Sequence, residues 1–446
     1  VSLIIVNSTG FFWPKAVERL DLADGTAVLG EVTMREAIPD PDAELGTPAR
    51  YRVQLKQGNR DYYGVDFLWV DEENVRARAI PAEVTVIERR EWGNFYGFVK
   101  AVKNGAETLG EGTAAVDALK AALPGALELQ EKIEDLEKGE VGSVNAKQEA
   151  IRLELRGLEL DGVTSGEDIE SLRAMKAELD AEYERLLATL AELRNQATAT
   201  AVLAAVNGQE KELALAQLVR VYEPNRMGAF DKVGFYAAKV WEFVADEPRE
   251  ANTEGGIFPA IFGTVMMVII MSVIVTPLGI LAAFYLREYA KQGAFVSAVR
   301  IAVNNLAGVP SIVYGVFAVG FFIYLIGGSI DRLFFREALP TPTFGTGGIL
   351  WASLTLALLT VPVVIVAVEE GLAAIPRGMR EASLALGATK FETTWRVVLP
   401  AVMPSILTGM ILAVARAAGE VAPLMLTGVV KLAPALPLDG SWPFFH

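Results

Sequence analysis

The sequence predicts a multi-domain membrane protein. An all-α transmembrane domain fills the C-terminal part, and an α+β domain precedes it, made of a small β sheet or barrel and an antiparallel helical hairpin. Three observations carry this. No charged residue lies between Glu254 and Arg287, between Arg300 and Asp331, or between Glu337 and Glu369, and each stretch exceeds the ~20 apolar residues that a spanning helix needs. Residues 15–105 run instead in short alternating segments broken by turn residues. Residues 106–207 are rich in Ala, Leu, Glu and Lys, with apolar residues at three- and four-residue spacing.

The charge balance separates the parts. Of 446 residues, 40 are Lys or Arg and 55 are Asp or Glu, a formal net charge of −15. The acidic excess lies in residues 18–254. It argues against nucleic acid or an anionic lipid surface as the partner of that region and suits an exposed, soluble domain. Cys is absent and the single His is His446. A disulfide framework, a thiolate metal site, a His-based triad and a His-rich metal centre are thereby excluded within the chain.

Taken in order, residues 1–14 are apolar but too short to span. They read as the end of a membrane helix, with a cleaved signal peptide as the alternative. In the β domain, 15–105, the strand candidates are Thr26–Arg35, Arg50–Lys56, Tyr62–Val70, Ala82–Arg90 and Asn94–Ala101, punctuated by Pro39-Asp40-Pro41 and Gly58-Asn59. In the coiled-coil-like insert, 106–207, Leu172, Met175, Leu179, Tyr183, Leu186, Leu190 and Leu193 form a stripe. Ile133 with Leu136, and Ile151, Leu155 and Leu158, form shorter ones. Gly139–Gly142 and Asp161–Gly166 read as turns, and Thr164-x-x-Glu167 as a capping box. The hairpin is either a docking arm for a partner or a self-packed insert. In residues 208–256, an amphipathic juxtamembrane segment, Phe230, Val233, Tyr236, Ala237, Val240, Trp241 and Val244 share a helical face beside Lys232 and Lys239. That face lies either in the bilayer interface or against the β domain.

In the membrane domain, 257–446, the prolines Pro277, Pro310 and Pro362 predict kinks. A fourth span is expected from about Pro404 to Gly428. Before it, Pro376–Pro400 is a polar hinge between two apolar stretches. It predicts a short helix over Met379–Leu386 with Pro376 in its first turn and Gly387 as its left-handed terminator. Thr389 and Glu392 then cap a second helix that carries Trp395 and Arg396 to the bilayer boundary. Held between two spans, the short helix either enters a groove in a partner protein or is an ordinary connection. Arg416 and Glu420 are the only charges in the fourth span and are four residues apart. They are either a structural ion pair or the lining of an anion pathway. Asn304 and Asn305 are either further donors to that pathway or helix-end caps.

Several motifs resemble one known family. Glu381-Ala382-Ser383, then Gly387, then Val397-x-Leu399-Pro400 is similar to the EAA-x3-G-x9-I-x-LP loop of ABC importer permeases, with Ser383 for Ala and Val397 for Ile. Asn304–Gly315, Phe344–Val364 and Ala415–Gly428 resemble the phosphate-importing members. The similarity covers about residues 255–430. It implies a type I importer fold in the bacterial cytoplasmic (inner) membrane, and an ATPase-coupling loop carried by Glu381, Ala382, Ser383, Gly387, Leu399 and Pro400. It makes Arg416 and Glu420 pathway residues. It implies a second permease, two copies of a cytoplasmic ATPase and a phosphate-binding protein as partners, in membrane lipid and without nucleic acid. No Walker A sequence occurs, so the chain is not the energy-converting subunit; the resemblance implies a transport subunit that is not an enzyme and has no cofactor of its own, with ATP and Mg held by the partner ATPase.

The family's loop is cytoplasmic, which puts residues 287–300 inside and 15–254 outside. Arg377, Arg380, Lys390 and Arg396, with Arg287, Lys291 and Arg300, against only Arg332 and Arg336 in the opposite loop, agree with that orientation. The family also has a final span after the position of Leu438, so a truncation at His446 is expected. The alternatives are a permease for another oxyanion, such as sulfate or molybdate, and a membrane-anchored scaffold or sensor.

Overall fold

The computed structural model describes residues 10–39, 49–250 and 254–428. Most of the expected membrane-helix end in residues 1–14, much of the Pro39-Asp40-Pro41 turn and the expected truncation beyond Leu438 lie outside the described residues. The chain divides into two compact units, Val1–Gln148 with Lys176–Phe258, and Glu149–Met175 with Pro259–His446.

In the first unit the strands pair into two large open antiparallel sheets and a two-residue ribbon of Pro248–Arg249 with Glu254–Gly255; among the described residues no pairing closes a sheet into a barrel. The first contains β1 (Val17–Leu22), β2 (Ala27–Ala37), β3 (Tyr51–Lys56), β4 (Phe67–Asp71) and β5 (Val75–Ala79), in the order β4-β3-β2-β1-β5. The second contains β6 (Thr85–Arg89), β7 (Phe95–Asn104), β8 (Glu107–Glu111), β9 (Ala199–Ala204), β10 (Glu210–Ala214) and β11 (Leu218–Tyr222), in the order β10-β9-β7-β6-β11 with β8 also on β7. Val17 and Leu29 of the first sheet share a buried cluster with Val86, Tyr96 and Tyr222 of the second. Asn59 is locked beside it at φ 50. Its side chain donates to the Tyr96 carbonyl at 3.0 Å and accepts from the Tyr96 N–H at 2.8 Å.

The strand reading needs correction at several points. Tyr62–Val70 is not one strand, because Arg60–Tyr63 forms a helical turn ended by Gly64 at φ 72. Strands β9, β10 and β11 occupy residues assigned to the hairpin and the juxtamembrane segment. The helical run is thus an insertion within the second sheet. Helix α1 (Ala115–Asp135) packs Leu119 and Leu123 onto that sheet among Phe95, Val102, Leu203 and Leu218.

Gly139–Gly142 is not a turn. The chain passes from α1 through a π-helical stretch, Leu136–Val141, straight into α2 (Gly142–Leu160). The buried Ile133 and Val144 on either side outweigh the ~1 kcal/mol that each glycine costs in a helix. The reversal comes at Asp161–Gly166, and α3 (Glu167–Gln196) returns. Helix α3 begins at Glu167 itself, after Gly166 at φ 151, so Thr164 does not cap it.

Helix α4 (Ala229–Ala245) turns one side to the sheets, where Phe235 meets Tyr222 at a ring distance of 4.6 Å. Its Glu242 is buried and pairs with Arg220, Lys239 and Arg249.

Among the described residues, four helices are long and apolar enough to cross a membrane: α5 (Phe258–Tyr289), α7 (Ser311–Phe334), α8 (Ile349–Ala374) and α10 (Lys390–Ala418). Helix α8 is the central one, with 61% of its apolar window buried against 17% for α5. Small residues let backbones approach closely, as expected where lipid gives no hydrophobic drive between helices. A Cβ on Gly371 of α8 would lie 2.4 Å from that of Ser405 on α10.

Pro310 does not kink a span. It is the N-cap of α7, and a separate helix, α6 (Ala294–Leu306), ends before it. The fourth span starts earlier than Pro404 and stops at Ala418, short of Gly428. Gly419 caps it, and Pro423 in a continuous helix would clash with the carbonyl four residues back. A short helix α11 (Ala422–Thr427) follows and packs Pro423 on Gly315 of α7.

Candidate coupling loop and membrane charge pair

Between α8 and α10 the chain forms a short helix, α9 (Arg377–Ala385), with Pro376 as its N-cap rather than in its first turn. It starts two residues before the expected Met379. Gly387 takes φ 89, which a side-chain-bearing residue adopts only with strain. Thr389 then opens α10 with a reciprocal cap. Its Oγ1 accepts from the Glu392 N–H at 3.2 Å, and the Glu392 carboxylate accepts from the Thr389 N–H at 2.9 Å.

The two helices of the loop are joined by Ser383 Oγ and Thr393 Oγ1 at 2.9 Å. Glu381, Ala382 and Gly387 are exposed. So are Met379, Leu384, Leu386, Phe391 and Trp395, with Leu386 at 89%. The indole of Trp395 stacks on Phe391. Leu399 packs on the core of the helix bundle, and Pro400 starts the straight part of α10. The arrangement is a short apolar-tipped helix presented outward from two spans.

Arg380, expected only as one of the basic residues that set the orientation, fixes this helix in place. Arg380 donates to the carbonyls of Leu372 at 2.9 Å and Ile375 at 3.0 Å, and to Glu288 at 2.9 Å. The guanidinium thereby satisfies the last carbonyls of α8 and ties α9 to the end of α5. Close by in the chain, Arg300 of α6 donates to Glu369 at 3.0 Å and to the Leu286 carbonyl at 3.2 Å. Of these residues, Arg300 and Glu369 bound uncharged stretches in the sequence.

Arg416 and Glu420 come together, with Nε 3.6 Å from Oε1. They do not share a continuous helical face. Arg416 sits in the last turn of α10, where a cation favours the helix dipole, and Glu420 lies in the break before α11. Both are partly exposed, and the contact is longer than a hydrogen bond. Among the described residues the Arg416 guanidinium makes no hydrogen bond. Asn304 and Asn305 are exposed on the last turn of α6, outside the spans. No hydrogen bond caps a helix through their side chains, and none joins them to Arg416 or Glu420, among the described residues.

Residues 275–435 match the family of binding-protein-dependent transport system inner membrane components. The phosphate transport system permease protein PstA of Mycobacterium leprae is 35% identical over 196 residues, 43% of this chain and 59% of that protein. PstA 1 of Mycobacterium tuberculosis strain H37Rv is 37% identical over 172 residues, 39% of this chain and 50% of that protein. PstA of Yersinia pestis is 36% identical over 187 residues, 42% and 57% respectively. The chain therefore spans little more than half the length of these relatives. The expected likeness to phosphate-importer permeases is borne out over the membrane part, and the strands and the helical hairpin precede the matched residues.

Proposed function

We propose that this chain is the PstA-like permease subunit of an ATP-driven phosphate importer in the bacterial inner membrane. It forms the translocation pathway with a second, PstC-like permease. Phosphate is delivered by a PstS-like binding protein, and ATP with Mg is held by two copies of a PstB-like ATPase. The observation that carries the reading is α9, a nine-residue helix between two spans whose apolar residues are exposed. A helix this short has little stability of its own and suits a groove in a partner. Glu381, Ala382, Ser383, Gly387, Leu399 and Pro400 form the coupling loop.

The first unit is extracytoplasmic. One feature supports this: the basic residues gather in the loops on the α9 side. Arg416 lines the anion route, where its planar donors bind two phosphate oxygens. Glu420 accepts from a protonated phosphate oxygen, which sulfate lacks.

The test is phosphate uptake by the assembled importer carrying Glu381→Lys or Gly387→Pro. Both variants insert normally, bind the ATPase poorly and lose uptake. Wild-type ATPase association and uptake in either one refutes the coupling role. Equal competition by sulfate or molybdate in the unaltered importer refutes the substrate.

A further inference from the structure

Helix α4 is apolar on two sides. The inward side meets the sheets through Phe235, and Lys239 and Glu242 turn the same way. Lys239 donates to Glu88 at 2.7 Å, and Glu242 is buried. The outward side is a different matter. Phe230 is 93% exposed, Val233 56%, Trp241 72% and Val244 46%. Gly234, Ala237 and Ala238 fill the gaps between them, also exposed. From Phe230 to Val244 this uncharged stripe is about 21 Å long at ~1.5 Å per residue.

Two chain segments are fastened to the same helix. Phe12 packs on Phe243 at a ring distance of 5.2 Å, and Trp13 on Tyr236 at 6.2 Å. Beside them Phe11 is exposed. At the other end, Ile257 N–H donates to the Phe243 carbonyl at 2.8 Å, and Phe258 N–H to the Asp246 carbonyl at 3.3 Å. Gly256 permits this closure, since a Cβ there would lie 2.0 Å from the Asp246 oxygen. Phe258 is the first residue of the spanning helix α5. The C-terminal turn of α4 is therefore hydrogen-bonded to the point where the chain begins its membrane crossing.

We propose that the Phe230–Val244 face of α4, with Phe11 and Trp13, is a lipid-binding surface seated in the headgroup region of the bilayer. Aromatic and aliphatic side chains on an uncharged helical stripe suit that boundary, where Trp rings are favoured and apolar area is withdrawn from water. The stripe carries no basic residue aimed outward, so the surface takes the bilayer through its apolar area and does not depend on anionic lipid. The inference rests on the spanning helices and holds whichever solute is carried.

The chain has no cysteine, so Val233→Cys, Trp241→Cys and Asn207→Cys each give a unique site for a spin label. The full chain, assembled with its partner subunits, is placed in nanodiscs of phosphatidylethanolamine and phosphatidylglycerol. Collisions with oxygen and with a water-soluble nickel chelate are then compared. The expected result is an oxygen-to-nickel ratio several-fold higher at positions 233 and 241 than at 207, unchanged when phosphatidylglycerol is replaced by phosphatidylcholine. A ratio equal to that at 207 overturns the proposal, because the stripe then faces water. Loss of access to both reagents overturns it too, because a protein then covers the stripe.

Discussion

Arg380→Ala should detach the short helix α9 from the bundle, at a cost that the geometry allows to be worked out. The substitution removes three charge-assisted hydrogen bonds, to the Leu372 and Ile375 carbonyls and to Glu288. Hydrogen bonds to a charged group contribute about 1.5–3 kcal/mol each where the partner stays dry. Two of these partners are neutral backbone carbonyls at the end of α8, so their share is the smaller one. Glu288 accounts for most of the loss. Its side chain is only 14% exposed, and Arg380 is its ion-pair partner. Stranding one member of a fully buried pair costs about 3–5 kcal/mol, and the partial exposure here points to the lower end, about 3 kcal/mol. Arg380→Met/Glu288→Gln removes the stranded charge and should recover about 1–2 kcal/mol of it. Unfolding of the purified chain in mixed micelles by SDS titration gives the three free energies. Phosphate uptake should fall in Arg380→Ala and return in part in the double variant. A single variant within about 0.5 kcal/mol of the parent, or a double variant no more stable than the single, refutes the role of Arg380 as the clamp on α9.

Three further outcomes are expected. Arg416→Met/Glu420→Gln should leave a folded complex that hydrolyses ATP and moves no phosphate; uptake near the parent rate ends the pathway assignment and leaves a structural pair. Residues 15–254 expressed alone should fold, giving a mixed helix and sheet spectrum by circular dichroism, since the sheets and α1 share their own cores; a random-coil spectrum refutes this. That fragment should lose stability in acid. Burial opposes ionisation of Asp61, but hydrogen bonds from Arg89 and Lys211 outweigh it and hold its carboxyl below the usual range. Arg35 and Arg78 hold Glu72 down from 4.5 to about 2. Depressed values mean that the stabilisation is complete above the unfolded pKa and is lost as pH falls towards the folded one. Urea midpoints should therefore drop between about pH 4.5 and 2, less steeply in Asp61→Asn, which is also less stable at neutral pH because Arg89 is left buried without its partner. A flat acid profile in the parent fragment refutes the assignment.

The membrane helices were legible because their signal is local: a long uncharged stretch has few folded alternatives in lipid. The breaks inside those stretches were less so. Pro310 was expected to kink a span, and the uncharged run to Gly428 hid the helix end that Gly419 and Pro423 make. Strands β5 and β11 escaped notice because VRARA and LVRVY are only five residues long and interrupted by arginine, and only pairing with β1 and β6 makes them strands. The Thr389–Glu392 cap was visible in four residues. The Arg380–Glu288 clamp was not, since its partners lie 92 positions apart and meet only when α9 folds back on α5. Arg416 and Glu420 could be paired by spacing, whereas the helix end that separates them rests on backbone geometry that spacing does not encode.

Strands β8 and β9 both lie on β7, and everything from Gly112 to Thr198 leaves the sheet and returns to it between them. The sheet therefore registers where the helical excursion starts and ends, and not how far it reaches. Closing a longer excursion adds little entropy cost, since that cost grows only with the logarithm of length. The reach of the hairpin is thus a nearly free variable of this architecture. Removing two matched turns from the distal ends of α2 and α3 should leave the strand pairing intact while shortening the arm by about 10 Å. The same sheet can then serve as a fixed mount for arms of different length, which separates the evolution of reach from the evolution of the fold that carries it.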